Sequence, residues 1–510
     1  MPLSPLHRHF TSSDPELAAV DASLRVPVMA SLLCAVHWMV TGTVLLVYAS
    51  SLAHPAERIP ILDIFTWLSQ NLSAFTYGRV WPAAVDALVY GWAGSASLGL
   101  VMWVLARMGR APSRAPAALM TAVVFWNLGV AAGLTGIFLG QSSSVELLEF
   151  PGYAAVILWC SFALFAYWTI LNYLGRRSDS DQIGQAWLLV GLFSFPWLYG
   201  AGSMLLGHHL PGSGVVQAMI SAWYVHGIYT LWLAPVGLGA LYYLIPKVSG
   251  LPLHYASHAR LAFWVWLLVA PWTAVHDMVG GPFPEGTVTI GLILSGLIFL
   301  PVALIGISLL KTSHEGRQKH HESIVLPFLS LSTAFFVVVG CCEQLLSIRG
   351  FNVVLHFTMF REANGLLWVY GFFSPIIFGA FYYILPRLLD FGWRSNFLIK
   401  IHYYASVYGI LLAIVVLGFG GIMQGVTLED PDKLVTIFNA DQVALSFQIA
   451  TTLCLCVISI GNGVFALHLG WTFLEWLRGG VRSVGEDERP EAPTVPESAL
   501  DPAAVEEAHA

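Results

Sequence analysis

The chain alternates long apolar runs with short polar or Gly/Pro-rich breaks. Its runs are much longer than the core helices of a soluble domain. Crossing the hydrocarbon layer takes about 20 mainly apolar residues in a helix. Stretches of that kind fall approximately at 27–50, 82–107, 116–140, 150–174, 184–207, 214–246, 259–280, 287–310, 325–347, 362–386, 398–425 and 442–475, which predicts twelve spans. The first contains His37 and has no cleavage pattern behind a short apolar core, so it reads as a retained span rather than a signal peptide. The predicted organisation is a segment 1–26, a twelve-helix membrane domain 27–476, and an acidic, proline-containing tail 477–510 expected to be disordered.

Composition agrees. Apolar residues make up 57% of the 510 and charged residues 10%, with a mean hydropathy of +0.71, far from globular averages. This is the profile of an all-α membrane protein in contact with lipid. Lys+Arg 23 against Asp+Glu 30 gives a net charge of -7, and no basic run is present to neutralise phosphates, which argues against a nucleic-acid partner. The six cysteines all lie in apolar stretches and read as small buried hydrophobes, not a disulfide framework.

Basic residues orient the spans, because cytoplasmic loops retain Lys and Arg. The loops after spans 2, 4, 6, 8 and 10 hold thirteen of them, the opposite loops five. With Arg8 and Arg25 before the first span, both termini are expected in the cytoplasm, as an even number of spans requires. The sequence also repeats itself: Pro235 to Lys247 reads PVGLGALYYLIPK and Pro375 to Arg387 reads PIIFGAFYYILPR, 140 residues apart. Each closes an even-numbered span with proline and then a cation, which suggests repeated four-helix units.

Ionisable groups inside a bilayer are costly and therefore candidate sites. Here they are His37, Asp86, His226, His276, Asp277, Glu343, Glu362 and His468. The predicted topology puts His226, His276 and Asp277 in the outer half of the membrane, and two imidazoles with one carboxylate are an acceptable ligand set for a transition metal. Each imidazole could equally just hydrogen-bond a neighbouring helix. Glu343 reads either as a proton-handling or partner-contacting carboxylate or as a group snorkelling to the surface. Asp86 is expected to pair with Arg79 or Arg361. Glu362 suits a helix N-terminus.

The stretch Trp223-Tyr224-Val225-His226, the Pro246-Lys247 closure and the Tyr382-Tyr383-Ile384-Leu385-Pro386-Arg387 closure resemble subunit I of the haem-copper oxidases, specifically the cbb3-type cytochrome c oxidase branch. The resemblance implies the twelve-helix subunit I arrangement in the bacterial inner membrane. It also implies two b-type haems and one copper, oxygen reduction, and membrane-anchored c-type cytochrome subunits as respiratory-chain partners. Mapped residue by residue, the family's helix 6 copper histidine falls on His226 and the first of its helix 7 pair on His276, while Asp277 replaces the second. The family tyrosine six residues before that pair is Ala270. In Gly78-Arg79-Val80-Trp81-Pro82-Ala83-Ala84, the low-spin haem histidine has become Ala84. His356-Phe357-Thr358 is kept, but Asn364 and Leu366 occupy the two helix 10 haem-ligand positions, and no other histidine lies between residues 322 and 401. The expectation is a degenerate member that binds no haem and is inactive alone, with at most one metal at His226, His276 and Asp277. Two alternatives remain: an active oxidase or nitric oxide reductase subunit with reassigned ligands, or a small-solute channel through the vacated haem cavity.

Overall fold

The computed structural model describes residues 14–54, 59–178, 182–207, 214–321, 323–429 and 436–478. The tail predicted at 477–510 lies outside them from residue 479 onward. Twelve helices are long and apolar enough to cross a membrane: α1 Pro15–Ser51, α2 Tyr77–Gly109, α3 Pro116–Phe138, α4 Gly152–Leu174, α5 Ile183–Leu206, α6 Val215–Ser249, α7 Ala256–Met278, α8 Glu285–Lys319, α9 Val325–Ser347, α10 Met359–Leu389, α11 Asn396–Leu428 and α12 Asn439–Leu477. They pair in sequence order and no strand occurs among the described residues. This is an all-α, multi-pass membrane protein.

Three helices form the interior. The most apolar windows of α2 and α6 are 100% buried and that of α10 is 89% buried, whereas α12 buries 33% of its window. Each of the three widens into a π-helical turn midway, at Ala87–Gly94, Ile228–Leu233 and Leu367–Phe373. Such turns insert one residue into the helical ladder and collect at functional sites. Each helix also closes on a left-handed residue at the Lys/Arg-rich end: Arg110, Gly250 and Asp390, spaced by 140 residues. The repeat seen in α6 and α10 therefore has a third copy in α2, where the sequence had drifted too far to show it. Close approach of α1 to α2 depends on Gly91, since a Cβ there would meet Trp38 side-chain atoms at 2.6 Å.

The basic end holds a buried ion pair. Arg107 and Asp21 are 3% and 4% exposed and pair at 2.7 Å, and the Trp103 indole N–H donates to the other Asp21 oxygen at 2.9 Å. Trp103 meets the repeat tyrosines symmetrically, with ring centroids 6.1 Å from both Tyr243 and Tyr383. The Arg387 guanidinium lies 3.6 Å over the Tyr383 ring. This network is why α1 begins at Pro15 and not near residue 27: Asp21, polar in sequence, is carried inside by its partners.

One sequence expectation fails here. The cysteines are free but not buried: Cys160 and Cys341 are exposed and the other four half-buried. Cys160 and Cys341 lie on outward faces of their helices, while Cys342 and Cys456 pack partly against the core.

Candidate functional site

Away from the basic end, α6, α7 and α9 bring three ionisable side chains together. Helix α7 tightens into a 3₁₀ segment over Ala270–Met278, where Pro271 removes a backbone donor from the α-helical ladder. This turn presents Thr273 and His276 toward α6. The Thr273 hydroxyl donates to the Ala270 carbonyl at 2.9 Å, so toward His226 Nε2, 2.5 Å away, its oxygen accepts. The Thr273 carbonyl accepts from His276 Nδ1 at 2.6 Å and from the Ser295 hydroxyl at 2.8 Å. One residue thus holds one nitrogen of each ring, leaving His226 Nδ1 and His276 Nε2 with their lone pairs. The rings stand 5.4 Å apart and nearly perpendicular.

The third member is Glu343 of α9, 4% exposed. Its Oε2 lies 3.9 Å from His276 Nε2 and has no hydrogen-bond partner. Its Oε1 accepts from the Asn364 amide at 3.0 Å. Ligating atoms of His226, His276 and Glu343 all lie within 4.8 Å of one another, the sole such group of three or more among the described residues. Glu343 is therefore not a snorkelling surface group; α9 aims it into the bundle.

Asp277 is differently placed. Its Oδ1 is 3.4 Å from His276 Nε2, but its Oδ2 faces Arg361 Nη1 at 3.4 Å, and Arg361 reaches on to Glu146 at 3.4 Å. It is an ion-pair member beside the cluster, not its third corner. His356 is buried against Phe357, ring centroids 4.0 Å apart.

The haem-ligand positions hold groups with other partners or none. Ala84 is a buried methyl, 0% exposed, as is Ala270 at the tyrosine position, 1% exposed. Asn364 is engaged with Glu343. Leu366 packs into the apolar core.

Asp86 corrects a second expectation. Arg79 donates to the Phe138 carbonyl at 2.9 Å and Arg361 is committed to Glu146 and Asp277. Neither reaches Asp86, which is 0% exposed and whose carboxyl lies against another carboxyl rather than a cation. Its neighbour is Glu149, from the loop between α3 and α4, whose carboxyl burial pushes up to about 8. Tyr90 and Tyr224 hydroxyls meet nearby at 2.7 Å. Sequence reading missed Glu149 and Thr273. The first sits in a short loop with no visible motif, and the second is an ordinary helix threonine until α7 tightens. Of the other ionisable groups, His37 is exposed, His468 accepts from the Ser395 backbone at 3.2 Å, and Glu362 occupies the first turn of a helix capped by Thr358.

Comparison with known proteins places this arrangement. Residues 26–462 match the family model "Cytochrome C and Quinol oxidase polypeptide I". The chain is 26% identical over 415 residues to "Cytochrome c oxidase subunit 1 homolog, bacteroid" of Bradyrhizobium diazoefficiens, covering 78% of this chain and 72% of that one. It is 22% identical to "Cbb3-type cytochrome c oxidase subunit CcoN1" of Stutzerimonas stutzeri, with 70% and 77% covered. A heme-copper terminal oxidase dimer solved by cryo-EM has the same fold, with a TM-score of 0.63 at 14% identity over 94% of this chain and 89% of that one. The family match spans ten helices in full, α2 to α11, and most of α1 and α12, so the chain belongs to the haem-copper oxidase subunit I family and has a cbb3-type subunit among its relatives.

Proposed function

We propose that this chain is a catalytically degenerate subunit I homologue, a haem-free component of a respiratory membrane complex rather than an oxygen-reducing enzyme by itself. The observation that carries this reading is the chemistry at the family's haem-ligand positions. Haem iron takes His, Met, Cys or Tyr as axial donor. Ala84 and Leu366 are hydrocarbon, and Asn364 spends its amide N–H on Glu343. These residues do not fit either haem, and no electron-transfer step is routed through one. The family's copper trio does not fit either, because only two of its three imidazoles remain and Asp277 is drawn toward Arg361.

The retained shell supports a structural or regulatory role beside membrane-anchored c-type cytochrome subunits, in an orientation with both termini cytoplasmic. Reporter fusions after Arg177 and Lys319 are expected to read cytoplasm, and fusions near Ser143 and Pro284 the outside; reversal at two of the four would overturn the orientation. The purified chain is expected to show no Soret band and no b-type signal in a reduced-minus-oxidised spectrum. Stoichiometric b-type haem would instead establish an oxidase with reassigned ligands.

A further inference from the structure

We infer that His226, His276 and Glu343 form a binding site for one divalent first-row transition ion of the zinc(II) or iron(II) kind, distinct in donor set from a copper trio of imidazoles. Its third ligand comes from α9, not from the position following His276.

Three observations converge. First, the Glu343 carboxylate is buried with one oxygen unpartnered and aimed at His276. A buried anion without compensation is costly. Among the described residues no Lys or Arg lies within 4 Å of it, and a bound cation answers that directly. Second, the imidazoles are pre-set as ligands: Thr273 holds His276 Nδ1 through its carbonyl and His226 Nε2 through its hydroxyl. Such outer contacts fix the tautomer and aim the lone pair. Third, Glu343 is itself oriented by Asn364, so a side chain that cannot serve haem acts as the positioning residue of a different centre.

The donor set decides the ion. Two imidazoles and one carboxylate, with open positions for water or a small ligand, suit zinc(II) and non-haem iron(II). Copper(I) prefers softer ligands, and a carboxylate is the hard replacement. Zn–N and Zn–O bonds of about 2.0–2.2 Å put ligands roughly 3.3 Å apart. Drawing donors in from within 4.8 Å of one another takes side-chain rotation of about 1 Å and no helix movement. Asp277, locked to Arg361, lies alongside and remains an acceptor for a metal-bound water.

This goes beyond the haem-free reading and is tested separately: a spectrum decides the haem, metal content decides the site. The full chain, purified in detergent, is analysed for metals, stripped with chelator and titrated under reducing anaerobic conditions with Zn²⁺, Fe²⁺ or Cu⁺ alone. One equivalent of Zn²⁺ or Fe²⁺ per chain is expected, with Cu⁺ weaker. Glu343→Gln, which keeps the side-chain shape, should weaken Zn²⁺ binding at least 100-fold. Asn364→Ala should weaken it about 10- to 100-fold, as outer-shell losses do, and Asp277→Asn less than about threefold. No ion bound below millimolar concentration, or Cu⁺ bound more tightly than Zn²⁺, overturns the proposal. So does an Asp277→Asn loss larger than that of Asn364→Ala, a comparison that stands even if Glu343→Gln fails to fold.

Discussion

The two ends of the inner three helices treat buried charge in opposite ways. At the basic end Asp21 is answered on both oxygens, by Arg107 at 2.7 Å and Trp103 at 2.9 Å. At the other end Asp86 meets no cation, only the Glu149 carboxyl, and one Glu343 oxygen has no partner. A buried carboxylate answered on both oxygens fixes helix positions and leaves no acceptor over for chemistry, even with Arg107 Nε left without a partner. A half-answered carboxylate is unstable as it stands and gains by taking up a proton or a cation. The comparison locates structure at one end and binding capacity at the other without reference to any relative.

The sharpest way to break it is to remove a cation from each end. Arg107→Ala strands Asp21 in the interior, and losing one partner of a buried pair costs about 3–5 kcal/mol. Arg361→Ala removes a guanidinium 42% exposed whose partners Glu146 and Asp277 are 51% and 16% exposed. Solvent screens the first pair to about 0–1 kcal/mol, and Asp277 keeps access to water, so the loss is smaller than at Arg107. Melting of both variants in detergent is expected to show a large drop for the first and a small one for the second. Equal drops would mean the two ends are not energetically distinct.

The same contrast explains what the sequence made legible. Twelve spans could be read because hydrocarbon thickness imposes a length on apolar runs, and the described residues hold twelve. The start of α1 could not, because hydropathy scores Asp21 as polar and cannot know of Arg107, 86 residues away. At the site, His226 and His276 were legible by spacing, and Glu343 as an isolated carboxylate. That Glu343 and not Asp277 completes the cluster was illegible. Adjacent residues of a 3₁₀ turn point about 120° apart, so His276 faces α6 while Asp277 turns to Arg361, and nothing in a linear sequence reports that α7 tightens there. Asn364 was legible only as a missing ligand; its contact with Glu343 depends on how α9 and α10 lie together.

A second effect, spread over several pH units, sharpens the contrast. Glu149 is lifted to about 8, first by burial and then by the charge of Glu146, with Asp86 alongside. A carboxyl whose folded-state value lies above its unfolded value of about 4.3 binds its proton more tightly in the native chain. Its contribution is therefore present at low pH and is lost as pH rises through about 8. Glu149→Gln stays neutral and lacks this dependence. Relative to the variant, the wild type should lose up to about 4 kcal/mol between pH 5 and pH 9, at about 1.4 kcal/mol per pH unit, with most of the change below pH 8. Thermal unfolding of both proteins across that range measures it. Parallel curves would show that Glu149 is already answered in the native chain, and the opposite end of the bundle would then be as satisfied as the basic end.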